Sequence, residues 1–142
     1  MPLINWFKAW YRKAATQGNT PAQAKLGAMY AGGYGVKQDY AKDLDLFSKA
    51  AAQGNARAQY NLGLGYYNGE GVERDYGEAL DWFRKAAAQG NAKAQHALGA
   101  MYANGEGVER DHGEALDWCR KAAAQGDTGA QELIDKLSGS GR

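Results

Sequence analysis

The sequence predicts an all-α fold, an α/α superhelical solenoid built from 36-residue helix-turn-helix units. Three observations carry that expectation. A Gln-Gly pair recurs at Gln17-Gly18, Gln53-Gly54, Gln89-Gly90 and Gln125-Gly126, 36 residues apart each time, and a constant period of this length is the mark of a repeat architecture. The 142 residues include 20 glycines, whereas Val, Ile and Thr supply only Ile4, Thr16, Thr20, Val36, Val72, Val108, Thr128 and Ile134. That is too few branched residues for a strand-rich fold, since strands draw on branched and aromatic side chains. Within each period, apolar residues fall at helical spacing in two separate segments.

Cut after each Gly, the chain divides into a leading piece 1–18, full units 19–54, 55–90 and 91–126, and a trailing piece 127–137. Together, residues 1–137 make one solenoid domain, followed by a flexible tail 138–142 with the linker-like run Ser138-Gly139-Ser140-Gly141. In the leading piece, Trp10-Tyr11-Arg12-Lys13-Ala14-Ala15 aligns with 82–87, so the chain opens on an unpaired second helix. The first helix of each full unit starts at Thr20 with Pro21 behind it, at Asn55, or at Asn91, and the trailing one at Asp127. These residue types cap helix N-termini, and Pro suits the first turn. Leu62 and Tyr66, one turn apart, share a face. Gly27, Gly63 and Gly99 sit inside these helices, where Gly costs about 1 kcal/mol relative to Ala. The expected return is close approach of the paired helix, with Tyr and Trp filling the space beside it. An aromatic buries about 150–250 Å², at most about 4–6 kcal/mol, which exceeds the glycine cost.

A Gly-punctuated turn follows, Gly69 to Val72 and Gly105 to Val108, with a weaker form at Gly33 to Val36. The second helix is expected to start at Asp39, Asp75 or Asp111. Glu78 and Glu114 stand three residues on as capping boxes, which Lys42 lacks. Ala79, Trp82, Phe83, Ala86 and Ala87 form its apolar face, and Gly90 ends it in a left-handed C′ position. Because no unit encloses a core alone, neighbours stack, leaving an open superhelix with a concave side. Residues 128–137 close the chain as an unpaired first helix.

Composition excludes several functions. A net charge of +1, from 17 basic and 16 acidic residues, supplies no global attraction to nucleic acid or an anionic membrane. No run approaches the roughly 18 apolar residues of a membrane span, and charges interrupt the opening MPLINWFKAWYRK where a signal peptide would be apolar. The expected location is cytoplasmic. Cys119 is the lone cysteine, so no intrachain disulfide forms, and no Cys/His grouping has metal-site spacing. Cys119 takes the place of Phe47 and Phe83, which makes it a buried, inert thiol. His96 and His112 are the two histidines, and neither belongs to a nucleophile–base motif. Neither metal nor cofactor is expected, and the chain reads as no enzyme. Gly69-x-Gly71 lacks the Gly-Lys-Ser/Thr of a phosphate loop and reads as a tight turn.

The Ala-x-x-x-Leu-Gly-x-x-Tyr pattern of the first helices, Gly-x-Gly-Val in the loops and Trp-Phe-x-Lys-Ala-Ala-x-x-Gly at 82–90 resemble the Sel1-like repeat family, relatives of the tetratricopeptide repeats. The resemblance covers nearly the whole chain. It implies an α/α solenoid of Sel1-like repeats acting as a protein-interaction scaffold. It also implies that the first helices line the concave groove. Some members staple each helix pair with a disulfide, which Cys119 alone cannot do, and the serine-x-x-lysine pattern of a β-lactamase is absent around Ser48, Ser138 and Ser140.

Units 55–90 and 91–126 match at 28 of 36 positions, and six of their eight differences fall in the first helix. Such likeness points to recent duplication or consensus design. Arg57, Tyr60, Asn61, Leu64 and Tyr67 trace one helical stripe. Where the resemblance places the groove, it brings in Arg57, Tyr60, Leu64, Tyr67 and Asn68, followed by Lys93, His96, Ala100, Ala103 and Asn104. The functional expectation is an adaptor binding a peptide or helix of a partner protein, with Tyr60 and Tyr67 as rigid anchors and Arg57, Lys93 and Asn68 as polar contacts. The bland reading is solvated surface that tolerates change. An alternative of another class is a self-assembling structural protein or a consensus-designed scaffold with no natural ligand. In it, the two half repeats meet head to tail and cover Trp6, Phe7, Trp10 or Tyr11.

Overall fold

The Gln-Gly-Asn or Gln-Gly-Asp junctions set the architecture of the computed structural model, which describes residues 40–139, with side chains from residue 44. Among the described residues there are six helices and no strand: α1 Tyr40–Ala52, α2 Ala56–Asn68, α3 Tyr76–Ala88, α4 Ala92–Asn104, α5 His112–Ala124 and α6 Thr128–Leu137. They divide between two compact units, Met1–Arg74 with α1 and α2, and Asp75–Arg142 with α3 to α6. The expectations for 1–18, Thr20 and Pro21, Gly27, Gly33 to Val36, the Asp39 cap and the last three residues lie outside the described part.

Each junction closes one helix and opens the next. Where α3 ends, the Gly90 N–H donates to Ala87 O at 3.0 Å and the Asn91 N–H to Ala86 O at 3.1 Å, with Gly90 at φ +92°. This is the paired bonding of a Schellman end, which needs a left-handed residue at its turn. Asn91 then accepts the Ala94 N–H at 2.9 Å as N-cap of α4. α1 to α2 repeats the geometry through Gly54 and Asn55, and α5 to α6 through Gly126 and Asp127. Three residues thus satisfy backbone groups on both sides of a sharp reversal, which accounts for the strict Gln-Gly period.

The other junction is longer. Gly105, at φ +70°, caps α4, and the Glu106 N–H donates to Met101 O at 3.0 Å. A Cβ on Gly107, at φ +72°, would stand 2.7 Å from Tyr76 O, so this loop lies directly on the start of α3. Asp111 caps α5 as expected, accepting the Glu114 N–H at 3.1 Å. The returning half of the capping box is replaced, because the Asp111 N–H donates to Tyr102 O at 3.0 Å. A backbone acceptor on α4 takes the proton that the Glu114 side chain was expected to take.

In the first unit, Leu44, Phe47, Ala50 and Ala51 of α1 bury against Ala58 and Leu62 of α2. In the second, Ala79, Leu80, Phe83, Ala86 and Ala87 of α3, Ala94, Leu98 and Met101 of α4, and Ala115, Cys119 and Ala122 of α5 are buried. Each large side chain among them contributes about 1.5–3 kcal/mol. Gly99 serves the close approach expected of it: a Cβ there would run into Cys119 Sγ and stand 3.1 Å from Ala115 O. The filling residues differ from expectation. Cys119 and Ala115 occupy that space, while Trp82 and Trp118 are half-buried with Lys85 and Lys121 over their rings at 4.3 and 4.4 Å. Leu80, outside the expected apolar face, is buried.

Candidate partner-binding faces

α2 carries six of the candidate contact residues on one side. Asn55 caps it by accepting the Ala58 N–H at 2.8 Å, and Gly69 ends it at φ +71°. Leu62 and Ala58 anchor the opposite side in the core. The 3.6-residue repeat therefore turns Arg57, Tyr60, Asn61, Leu64, Tyr67 and Asn68 away from that core. Arg57 and Asn68 are exposed, and Tyr60, Asn61, Leu64 and Tyr67 are half-buried. Asn68 Nδ2 donates to Glu70 Oε1 at 3.0 Å, which orients it at the C-terminal end of the stripe. The result is an aromatic and aliphatic strip with a cation at one end and a hydrogen-bonded amide at the other.

On α4 the equivalent positions differ in character. Lys93 and Asn104 are exposed, Asn104 reaching Glu106 at 3.4 Å, and Ala100 is half-buried. Ala103 is buried at 8% exposure and so presents little surface, in contrast to its expected place in the groove. His96 is half-buried and held: its Nδ1 lies 3.1 Å from Asp127 Oδ1, the same oxygen that accepts the Ala130 N–H at 2.8 Å as the α6 cap. Gly129 makes room for it, since a Cβ there would collide with the His96 ring. The structure thus ties His96 to the next helix. The six α2 positions form one face of the first unit, and the α4 positions belong to the second.

The model of the Sel1 repeat matches residues 8–19, 20–55, 56–91 and 92–127. The chain belongs to the Sel1 repeat family. The three full Sel1 repeats matched begin one residue after the units drawn from the Gln-Gly period. Among solved structures, a protective antigen of uropathogenic Escherichia coli strains displaying an SLR fold is 43% identical, with a TM-score of 0.90 over 94% of this chain and 28% of its own. A Sel1 repeat protein from Oxalobacter formigenes is 40% identical, with a TM-score of 0.80 over 85% of this chain and 50% of its own. The chain therefore spans at most half the length of either. Helicobacter pylori cysteine rich protein B, 22% identical at a TM-score of 0.72 over 93% of this chain and 97% of its own, shares the fold. No curated protein matches the chain. The fold class is the all-α repeat solenoid.

Within the Sel1 repeats, the residues that sequence reasoning missed are glutamines. Gln95 is 5% exposed and its Nε2 donates to Ala87 O at 3.2 Å, while Gln125 Nε2 donates to Gln95 Oε1 and to Gly90 O, both at 2.9 Å. Gln59 repeats the first bond to Ala51 O at 3.2 Å. A buried amide left unpaired costs about 1–3 kcal/mol, so these bonds tie α2 to α1 and α4 to α3. The readable signal was a glutamine at the same place in every first helix, inside an otherwise apolar face. Cys119 is fully buried, and burial, followed by the nearby Asp127 charge, pushes its thiol up. A raised thiol holds less of the nucleophilic thiolate at neutral pH. Among the described residues, no group of three or more His, Cys, Asp or Glu is placed to hold a metal ion, and no helix is long and apolar enough to cross a membrane.

Proposed function

We propose that the chain is a non-catalytic scaffold or adaptor, in which the outer faces of first helices hold a peptide or helix of a partner protein. Sel1 repeat proteins are generally protein-interaction scaffolds. The observation that carries the finer reading is the α2 strip, where Tyr60, Leu64 and Tyr67 stay half-exposed between Arg57 and Asn68. Tyrosines of this kind supply large contact area at low entropic cost, and residues of this type dominate interface energetics. On α4, the same repeat positions carry Lys93, Ala100 and Asn104, with His96 engaged at the α6 cap.

The test compares the chain with an Arg57→Glu, Tyr60→Ala, Tyr67→Ala variant shown by circular dichroism to remain helical. Proteins captured from a lysate of the source organism are read by mass spectrometry, and binding to each is then measured with purified partner. Truncating a hot-spot tyrosine costs about 2 kcal/mol, roughly 30-fold in Kd, so the triple variant is expected to lose a partner that the chain retains. Equal binding of every partner by both proteins would remove the α2 face from consideration.

A further inference from the structure

The cations of the helices fall into two groups. On the second helices, every cation with a described side chain is engaged. Lys49 lies 3.3 Å from Asp45 on α1, Arg84 meets Asp81 at 3.5 Å and the Tyr102 hydroxyl at 2.9 Å on and across from α3, Arg120 meets Asp117 at 3.6 Å on α5, and Lys85 and Lys121 lie over Trp82 and Trp118. Arg57 of α2 and Lys93 of α4 are exposed, and among the described residues neither has an ion pair or a hydrogen-bonding partner. Their own helices hold nothing to pair with them, because α2 and α4 contain no Asp or Glu. Even the caps are neutral. Asn55 and Asn91 stand two residues before the cations, whereas α3, α5 and α6 are capped by Asp75, Asp111 and Asp127. Asn and Asp cap about equally well, and a cation in the first turn opposes the helix dipole, so helix stability explains neither choice. α6 has Gly129 at the repeat position of Arg57 and Lys93, which shows that a first helix forms without a cation there.

The far ends of the two helices carry the opposite charge. Asn68 donates to Glu70 at 3.0 Å and Asn104 to Glu106 at 3.4 Å, about 16 Å along the helix axis from each cation. Asp127, which lies beside His96, is already taken by the imidazole at 3.1 Å and by the Ala130 N–H at 2.8 Å.

Building on the adaptor reading above, we infer that the segment these faces hold is an acidic peptide, whose carboxylates gather towards one end and meet Arg57 on α2 or Lys93 on α4. On α2, the apolar part of such a peptide falls on Tyr60 and Leu64, half-buried one and two turns beyond Arg57. Charge complementarity of this kind steers the encounter and fixes the register of the bound segment. A nucleic-acid strand suits the faces less, because its even run of phosphates would continue onto Glu70 or Glu106 and be repelled there.

The test selects binders to the purified chain from a displayed library of random peptides of about twelve residues, long enough to span one face as a helix. At low salt, where surface charge is least screened, the captured pool is expected to contain at least about twice the Asp and Glu of the starting library. An Arg57→Gln, Lys93→Gln variant, shown by circular dichroism to remain helical, is expected to lose that acidic excess. A selected acidic peptide, measured by fluorescence anisotropy, is expected to bind this variant about 2- to 5-fold more weakly for the cation it meets, and to lose the difference at high salt. An Arg57→Glu, Lys93→Glu chain is expected to prefer the same peptide with its acids replaced by Lys. Peptides captured without acidic excess, or an excess kept by the Gln variant, would overturn the inference and leave the adaptor reading standing. So would a single-stranded DNA oligonucleotide that binds more tightly than the selected peptides and is lost in the Gln variant. A chain that captures no peptide at all would remove the adaptor reading and the inference together.

Discussion

Cys119 shows what a single residue inherits from its place in a period. It stands where Phe47 and Phe83 stand, and all three are buried, at 0%, 4% and 1% exposure. That much was legible from the 36-residue spacing. The charge beside it was not, because Asp127 lies on the next helix and reaches the thiol only through the α5–α6 reversal. Burial first, and then the Asp127 charge, raise the thiol above its ordinary value of 9.0. A raised folded value means that the stabilisation is fully present below the unfolded value and is lost as pH rises through the folded one. The free energy of unfolding is therefore expected to fall on the alkaline side of about pH 9, and Cys119→Ala to lose that part of the decline in urea titrations across the range. At pH 8 a thiol reagent is expected to label the native chain at least about 100-fold more slowly than the urea-unfolded chain, and equal rates would place the thiol at the surface. His96 and Ala103 make the converse point. The family resemblance set them in one groove with Lys93 and Asn104, yet the contact of His96 with Asp127 and the burial of Ala103 hold them back from it.

For the helices, local signals sufficed for beginnings and ends. Asn55, Asn91 and Asp127 cap, Gly54, Gly90 and Gly126 turn left-handed, and Asp75 and Asp111 start the second helices, all as their residue types dictate. What the helices place against one another was less legible. The glycine at position 99 announced a close neighbour without saying which, and the neighbour is Cys119 with Ala115 O, where an aromatic was expected. Gly99→Ala is expected to destabilise by about 1–3 kcal/mol from overpacking, net of the roughly 1 kcal/mol that Ala gains over Gly inside a helix. Gly90→Ala has nothing within 4 Å of the new Cβ and φ +92° to support, so its cost is conformational, about 1–2 kcal/mol. Urea unfolding of both variants checks this, and a neutral Gly99→Ala would show that close packing is not what this glycine provides.

At the scale of the molecule, stability in a repeat array is a sum of intrinsic terms and nearest-neighbour contacts. In the second unit this predicts a gradient. α4, buried through six of its residues, is expected to exchange its amides at least about 10-fold more slowly than α6, which has Ala130 alone fully inside. Uniform protection across α4 and α6 would contradict that gradient. Period, caps, glycine turns and the absence of strand-forming residues were determined by the sequence alone, because each depends on backbone preferences within a few positions, repeated every 36. The glutamine ties from Gln95 and Gln125, the Asp111 N–H paired to Tyr102, the seating of His96 on the α6 cap and the sidedness of α6 were decided only by tertiary structure. Each depends on which donor meets which acceptor, or which surface meets water, after the chain has reversed, and no local preference encodes that meeting.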